Sequence, residues 1–198
     1  MGGMVETSGA LRGVARQAVR DEVLRHAWRL FIDQGFEATT VEQVAEAAGM
    51  SRRTFFRYFA NKDELILARL VEAGHRVAAA LEARPPAESA WVALRYALDE
   101  VVLPQQDNAA VARRSQQLLE TDASARSSME ERRRRWNLLL APLIAARLGK
   151  PGDPPHAEAL VGAAIACLDA AQQTWARTLD TNLGELLDTA MRAVAPLE

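Results

Sequence analysis

Residues 36 to 64, FEATTVEQVAEAAGMSRRTFFRYFANKDE, restrict this chain more than any other stretch. They predict two short helices joined by a tight turn, with a third helix opening behind them. Thr39 is expected to cap the first, with Glu42 three residues on as its capping-box partner. Val41, Val44, Ala45 and Ala48 give that helix one apolar face. Gly49 supplies the left-handed residue that ends it and permits the turn. Ser51 caps the second helix, and Asn61, with Glu64 three positions later, opens the third. Short helices joined through a glycine turn, the second rich in arginine and aromatics, form the arrangement that seats a recognition helix in a DNA major groove.

At about 100° per residue, Phe55, Phe56 and Phe59 fall on one side of that second helix. Arg53 and Arg57, four apart, lie on the other side, flanked by Thr54 and Tyr58. The expected division is a core anchor on one flank and two guanidinium forks, a hydroxyl and a phenol on the opposite one. Arg53 and Arg57 suit guanine edges or phosphates, and Tyr58 and Thr54 suit phosphate oxygens. Arg52 sits near the boundary and reaches either. An ordinary solvated helix also carries a few arginines, but three phenylalanines in so short a segment demand a partner surface.

These residues resemble the TetR family of one-component bacterial regulators. The resemblance rests on Leu30-Phe31, Gly35, Thr39-Thr40-Val41, Val44-Ala45, Gly49-Met50-Ser51, Phe55 to Phe59, and Lys62 to Leu65, within the first third of the chain. It implies phosphate contacts from Thr40 at a helix N-terminus, from Tyr58, and from Lys62 at the start of the next helix. The expected DNA-binding set is thus Thr39, Thr40, Ser51, Arg52, Arg53, Thr54, Arg57, Tyr58 and Lys62. One position departs from the pattern. Phe56 stands where the family usually has a tyrosine whose hydroxyl touches phosphate, so Tyr58 and the arginines must carry more of the binding.

The whole chain reads as all-α, with about nine helices and no alternating strand pattern or internal repeat. Its 198 residues suffice for one large or two small domains, and 49% are hydrophobic. No stretch approaches a membrane span, and MGGMVETSGALRG lacks the apolar core of a secretory signal. The lone Cys167 has no internal partner, which suits a reducing cytoplasm. Net charge is −2, at first sight poor for nucleic acid. The distribution is kinder: residues 1 to 62 carry nine Lys/Arg against seven Asp/Glu, and the remainder fifteen against nineteen. Arg12, Arg16 and Arg20 fall where a DNA-binding arm would lie.

Three segments are expected: a disordered arm over 1–15, a helix-turn-helix DNA-binding domain over 16–62, and a helical effector-binding and dimerisation domain over 63–198. The first helix should run from about Arg16 to Gln34, and a long connecting helix from Lys62 to Ala83. Further helices are expected over about 87–102, stopped by Pro104, then 108–120, 124–148, 156–179 and 183–194, with PGDPP at 151–155 as a stiff connector. The last two helices are dense in small and large apolar residues. Two from each of two chains make a four-helix bundle, which is the homodimer interface that the resemblance implies. Leu160, Ala164, Cys167, Leu168, Ala171, Trp175, Leu183, Leu187 and Met191 are its expected members, burial within one chain being the alternative. A dimer also suits two half-sites about 34 Å apart.

Between the connecting helix and the last two helices lies the region resembling the family's variable ligand domain. Trp91, Tyr96, Leu119, Met129, Arg133, Trp136 and Leu140 are the expected lining of an effector pocket, although each alone is more often core. Arg132 to Arg135 sweep about 300° of a helix, so they cannot share one solvated face; one of them is expected to point inward, toward a carboxylate or an anionic ligand. Glu72-x-x-His75 has the spacing of half a di-iron motif but lacks its second half. Phosphate-binding, dinucleotide-binding and nucleophile-elbow motifs are missing. The expected protein is a sequence-specific DNA-binding transcriptional regulator and not an enzyme: a repressor, a cytoplasmic homodimer with no metal or cofactor, released from operator DNA by a small molecule. The alternatives are a ligand-independent regulator or activator, or a helical binding protein keeping the motif as scaffold.

Overall fold

The computed structural model describes residues 3–121, 123–149 and 154–197; side chains within 3–12, 123–124 and 154 lie outside that description. Ten helices follow one another among the described residues, or nine if the two around Leu98 are counted as one bent helix. They are α1 (Gly3–Gln34), α2 (Val41–Ala47), α3 (Arg52–Phe55), α4 (Asp63–Ala83), α5 (Ala90–Ala97), α6 (Asp99–Asp107), α7 (Ala109–Thr121), α8 (Ala123–Arg147), α9 (Pro154–Arg177) and α10 (Leu183–Val194). The chain divides into two compact units, Met1–Ala68 and Arg69–Glu198, so the division falls a few residues beyond position 62.

In the first unit, Val23, Leu24, Ala27 and Phe31 form the buried stripe of α1. The helix begins at Gly3 rather than near Arg16, so residues 3–15 belong to it and not to a disordered arm. No proline interrupts them, and isolated glycines at 9 and 13 lower helix propensity without ending a helix. Gly35, at φ +92°, ends α1, and Phe31 meets Phe36 edge-on with ring centroids 5.0 Å apart.

The N-cap of α2 is Thr40, one residue later than expected. Its hydroxyl accepts from the Gln43 amide at 3.2 Å while the Gln43 side chain accepts from the Thr40 amide at 2.8 Å, a complete capping box. Thr39 is buried instead, donating its hydroxyl to the Gly35 carbonyl at 2.7 Å. Gly49 takes φ +65° at the turn, and Ser51 accepts from the Thr54 amide at 3.1 Å to start α3. Asn61 Oδ1 accepts from the Glu64 amide at 2.8 Å, and Glu64 returns a carboxylate oxygen to the Ala60 amide, so α4 opens on reciprocal caps.

The second unit is a helical bundle cored by Val77, Leu81, Leu94, Leu98, Trp136, Leu140, Ile144, Val161, Leu168, Trp175 and Leu187. The helix expected over 87–102 bends at Leu98 and continues through Pro104 to Asp107. Pro104 and Glu100, whose carbonyl loses its intrahelical donor, both face solvent, so water can satisfy that carbonyl. Pro154 and Pro155 occupy the first turn of α9, where a missing N–H goes unneeded; residues 150–153 of the expected connector lie outside the described residues.

Arginines close several of these elements. Arg147 donates to the carbonyls of Arg84 at 3.0 Å and Pro85 at 2.6 Å, just past the end of α4, and to that of Leu81 in its last turn at 3.4 Å. Arg113 does the same for α9, reaching the carbonyls of Trp175 and Thr178 and lying 4.4 Å over the Trp175 ring. Among the described residues, no helix is long and apolar enough to cross a membrane.

Candidate nucleic-acid interface and ligand cleft

The segment from Ser51 to Phe59 is anchored by two phenylalanines, not three. Phe55 and Phe59 are buried, with centroids 5.6 Å apart. Phe56 is 45% exposed. The regular helix is only four residues long, and Phe56 caps its C-terminus about 100° round from Phe55, beyond the width that the core covers. Arg52 lies over the Phe56 ring at 5.5 Å and pairs with Glu42 at 3.0 Å.

Arg53 and Arg57 stand exposed on the flank away from Phe55 and Phe59, and neither forms an ion pair among the described residues. Thr54 and Tyr58 are half-buried beside them. The backbone of this segment is held from α1. Arg20 donates to the Tyr58 carbonyl, pairs with Glu64 at 3.5 Å and lies over Phe59 at 4.3 Å; Arg16 donates to the Arg57 carbonyl at 3.4 Å. Arg16 and Arg20 therefore work as C-terminal clamps on the candidate recognition segment, rather than as free charges of an arm. The Arg12 side chain lies outside the described residues.

Two further expectations change. Thr39 is 1% exposed and accepts from Gln34 at 3.1 Å, so its hydroxyl is spent inside the protein. Lys62 donates to the carbonyls of Phe36 at 2.7 Å and Thr39 at 3.1 Å and sits 4.1 Å from the Phe36 ring centroid. Its ammonium pins the loop before α2. Thr40 and Ser51 are exposed, each at the N-terminus of a short helix.

In the second unit the seven expected ligand residues do not come together. Trp91, Trp136 and Leu140 are core; Trp91 donates its indole N–H to the Ala195 carbonyl at 3.2 Å, and Trp136 to the Leu70 carbonyl at 3.0 Å. Tyr96 is 49% exposed, under the Arg84 guanidinium. Leu119, Met129 and Arg133 do meet, on the wall of a cleft of about 470 Å³ between α7, α8 and α9. Sequence reasoning missed Gln116, Glu120, Arg126, Gln173 and Arg177 of the same wall. Arg126 and Arg177 stand in the first turn of α8 and the last of α9, and their only sequence signal is charge at a helix end.

Of the four consecutive arginines, Arg132 points inward. It is 2% exposed, pairs with the buried Asp169 of α9 and stacks over Trp136 at 5.0 Å. Arg133 shares Asp169 at 2.8 Å. Arg134 and Arg135 turn outward onto Glu131, at 2.8 and 2.7 Å, and their hydrogen bonds hold the Glu131 carboxyl down at about 2.

Most of the expected dimer residues are covered by their own chain, the alternative weighed for them. Ala164, Cys167, Leu168, Ala171, Trp175, Leu183, Leu187 and Met191 are buried within the chain, and Leu160 is half-buried. One apolar stripe on each helix is satisfied by α8, α5, α6 and the other member of the pair. Burial pushes the Cys167 thiol up, so it is an inert packing group.

The comparisons with known proteins agree with this geometry. Residues 23–68 match the description "Bacterial regulatory proteins, tetR family", and residues 88–197 match "MftR C-terminal domain". The chain is 31% identical to the HTH-type transcriptional regulator TcmR of Streptomyces glaucescens over 94% of its own length and 87% of the relative's. This chain belongs to the TetR family. As a TetR-family protein it is a DNA-binding transcriptional regulator, of a family that is not enzymatic. Among solved structures, the fold is similar to that of FadR from Bacillus subtilis in complex with stearoyl-CoA, at TM-score 0.61 and 16% identity, covering 89% of this chain and 98% of that one. FadR from Thermus thermophilus, in complex with lauroyl-CoA, is 25% identical at TM-score 0.50, covering 88% and 92%.

Proposed function

We propose that this TetR-family regulator is a repressor that binds operator DNA as a homodimer in the cytoplasm and leaves it when a small molecule occupies the second unit. The observation that carries the DNA half is the exposed flank of Arg53 and Arg57, opposite the buried Phe55 and Phe59. Arg53 and Arg57 read base edges; Thr40, Ser51, Arg52, Thr54 and Tyr58 serve phosphate oxygens at the groove walls. Thr39 and Lys62 position the loop that carries Thr40, and touch no DNA themselves.

The ligand half is supported by the cleft between α7, α8 and α9, and by the two acyl-CoA complexes among the similar structures. For the dimer, the opposite face of α9, with Gly162, Ala166 and Ala170, and Leu138 and Pro142 of α8, all exposed, replaces the inward residues first expected. Small side chains there allow two helices to approach closely. Occupation of the second unit shifts the population of two dimer states, and a preference of about 3 kcal/mol for the released state lowers operator affinity more than a hundredfold. The direct test is anisotropy of a labelled fragment of the protein's own promoter at fixed salt. Tight binding lost in Arg53→Ala/Arg57→Ala supports the reading; a protein that ignores its promoter, or stays a monomer at binding concentrations, ends it.

A further inference from the structure

The wall of the α7–α8–α9 cleft carries three guanidiniums, from Arg126, Arg133 and Arg177, against the carboxylate of Glu120. Their bonds leave charge over. Arg177 pairs with Glu120 at 3.2 Å and is neutralised by it. Arg126 uses its Nη1 on the carbonyls of Glu120 and Thr121, at 3.3 and 3.1 Å, and forms no ion pair among the described residues. Arg133 gives only its Nε to Asp169, and that carboxylate also serves the buried Arg132. One carboxylate between two guanidiniums leaves one positive charge, and Arg126 adds another. Arg133 and Arg126 each keep terminal N–H groups with no bond among the described residues, and forks of this kind match the oxygens of a carboxylate or phosphate. Leu119 and Met129 make the apolar part of the same wall.

We infer that this cleft binds an organic anion, a carboxylate or phosphate head on a compact apolar body, with Arg133 and Arg126 on the head and Leu119 and Met129 against the body. The inference rests on the ligand-released reading above and deepens it. The site is also placed to be felt. An anion on Arg133 competes with its bond to Asp169, whose other oxygen holds Arg132; Arg132 lies on Trp136, and Trp136 donates to the Leu70 carbonyl in α4. Contiguous packed groups of this kind carry coupling when they have two arrangements.

The test is titration calorimetry on the full chain with decanoate and decyl phosphate, beside decanol and inorganic phosphate. Both decyl anions are expected to bind, with decanol and inorganic phosphate each weaker by about tenfold or more. Arg133→Gln and Arg126→Gln should each weaken the anions by about tenfold or more, because a charge-assisted bond is lost. Arg134→Gln, turned outward onto Glu131, should leave anion affinity unchanged, and all three variants should stay folded without ligand, Arg133→Gln melting somewhat lower because it gives up its bond to Asp169. Decanol binding as well as decanoate, no binding of either anion, or unchanged affinity in both Arg133→Gln and Arg126→Gln overturns the inference. A preference between the two heads distinguishes a carboxylate ligand from a phosphate one, and either supports the site. Promoter anisotropy separates the two claims. Anions that bind through Arg133 yet leave DNA affinity unchanged confirm the site and remove the release mechanism. Release by another compound that is indifferent to Arg133→Gln and Arg126→Gln keeps the release mechanism and removes the site.

Discussion

Two groups of arginines divide the labour of this molecule. Arg53 and Arg57 have no anionic partner among the described residues, stand in water, and are supported only from behind, by Phe55, Phe59 and the Arg16 and Arg20 clamps. Arg132 and Arg133 crowd on one aspartate, the first of them nearly out of reach of solvent. The same side chain thus stands open to a ligand in one region, while in the other Arg132 is a structural tie and Arg133 joins that tie to the cleft wall. Sequence shows arginine-rich helices in both places; burial decides which role each plays.

The largest effect is expected where the tie is cut. Asp169→Ala strands a buried guanidinium and should lower unfolding free energy by about 3–5 kcal/mol in urea titrations. A smaller loss, near that of a surface mutation, would make the second cluster no different from the first. Arg53→Ala and Arg57→Ala should behave oppositely, each weakening promoter binding by about 1–3 kcal/mol while leaving stability within about 0.5 kcal/mol. Gly74→Ala probes what holds Arg132 in place. A Cβ there would lie 2.4 Å from the Trp136 indole nitrogen, and Trp136 is buried, so overpacking should cost about 1–3 kcal/mol in the same titrations. The smallest effect belongs to Glu131, beside the buried pair but exposed to screening. Its carboxyl is held at about 2 rather than 4.5, so its small stabilising effect is present above about pH 4.5 and is lost as pH falls toward 2. The urea midpoints of wild type and Glu131→Gln should therefore converge across that window.

Much of the first unit was legible because caps and glycines fix a backbone locally. Gly35, Gly49, Ser51 and Asn61 all act as their types and spacing predict. The capping box slipped by one residue because Thr39–Glu42 and Thr40–Gln43 are equally good on paper. What chooses between them is tertiary: Thr39 turns in toward the Gly35 carbonyl. Phe56 escaped for a related reason, since apolar type does not reveal how wide a core is. The dimer residues show the deeper limit. An apolar stripe declares that something covers it, and Leu168, Leu187 and Met191 are covered by their own chain. The cleft was harder still, because Arg126, Arg133 and Arg177 come from separated positions on two helices that only packing brings together.

The Arg147 clamp has a mechanical meaning for α4. By gripping the carbonyls at the end of that helix, it fastens the rod to α8 at its far end, beside Pro85. A grip on the last turn and on the residues just beyond it keeps that end of α4 from fraying or sliding along α8.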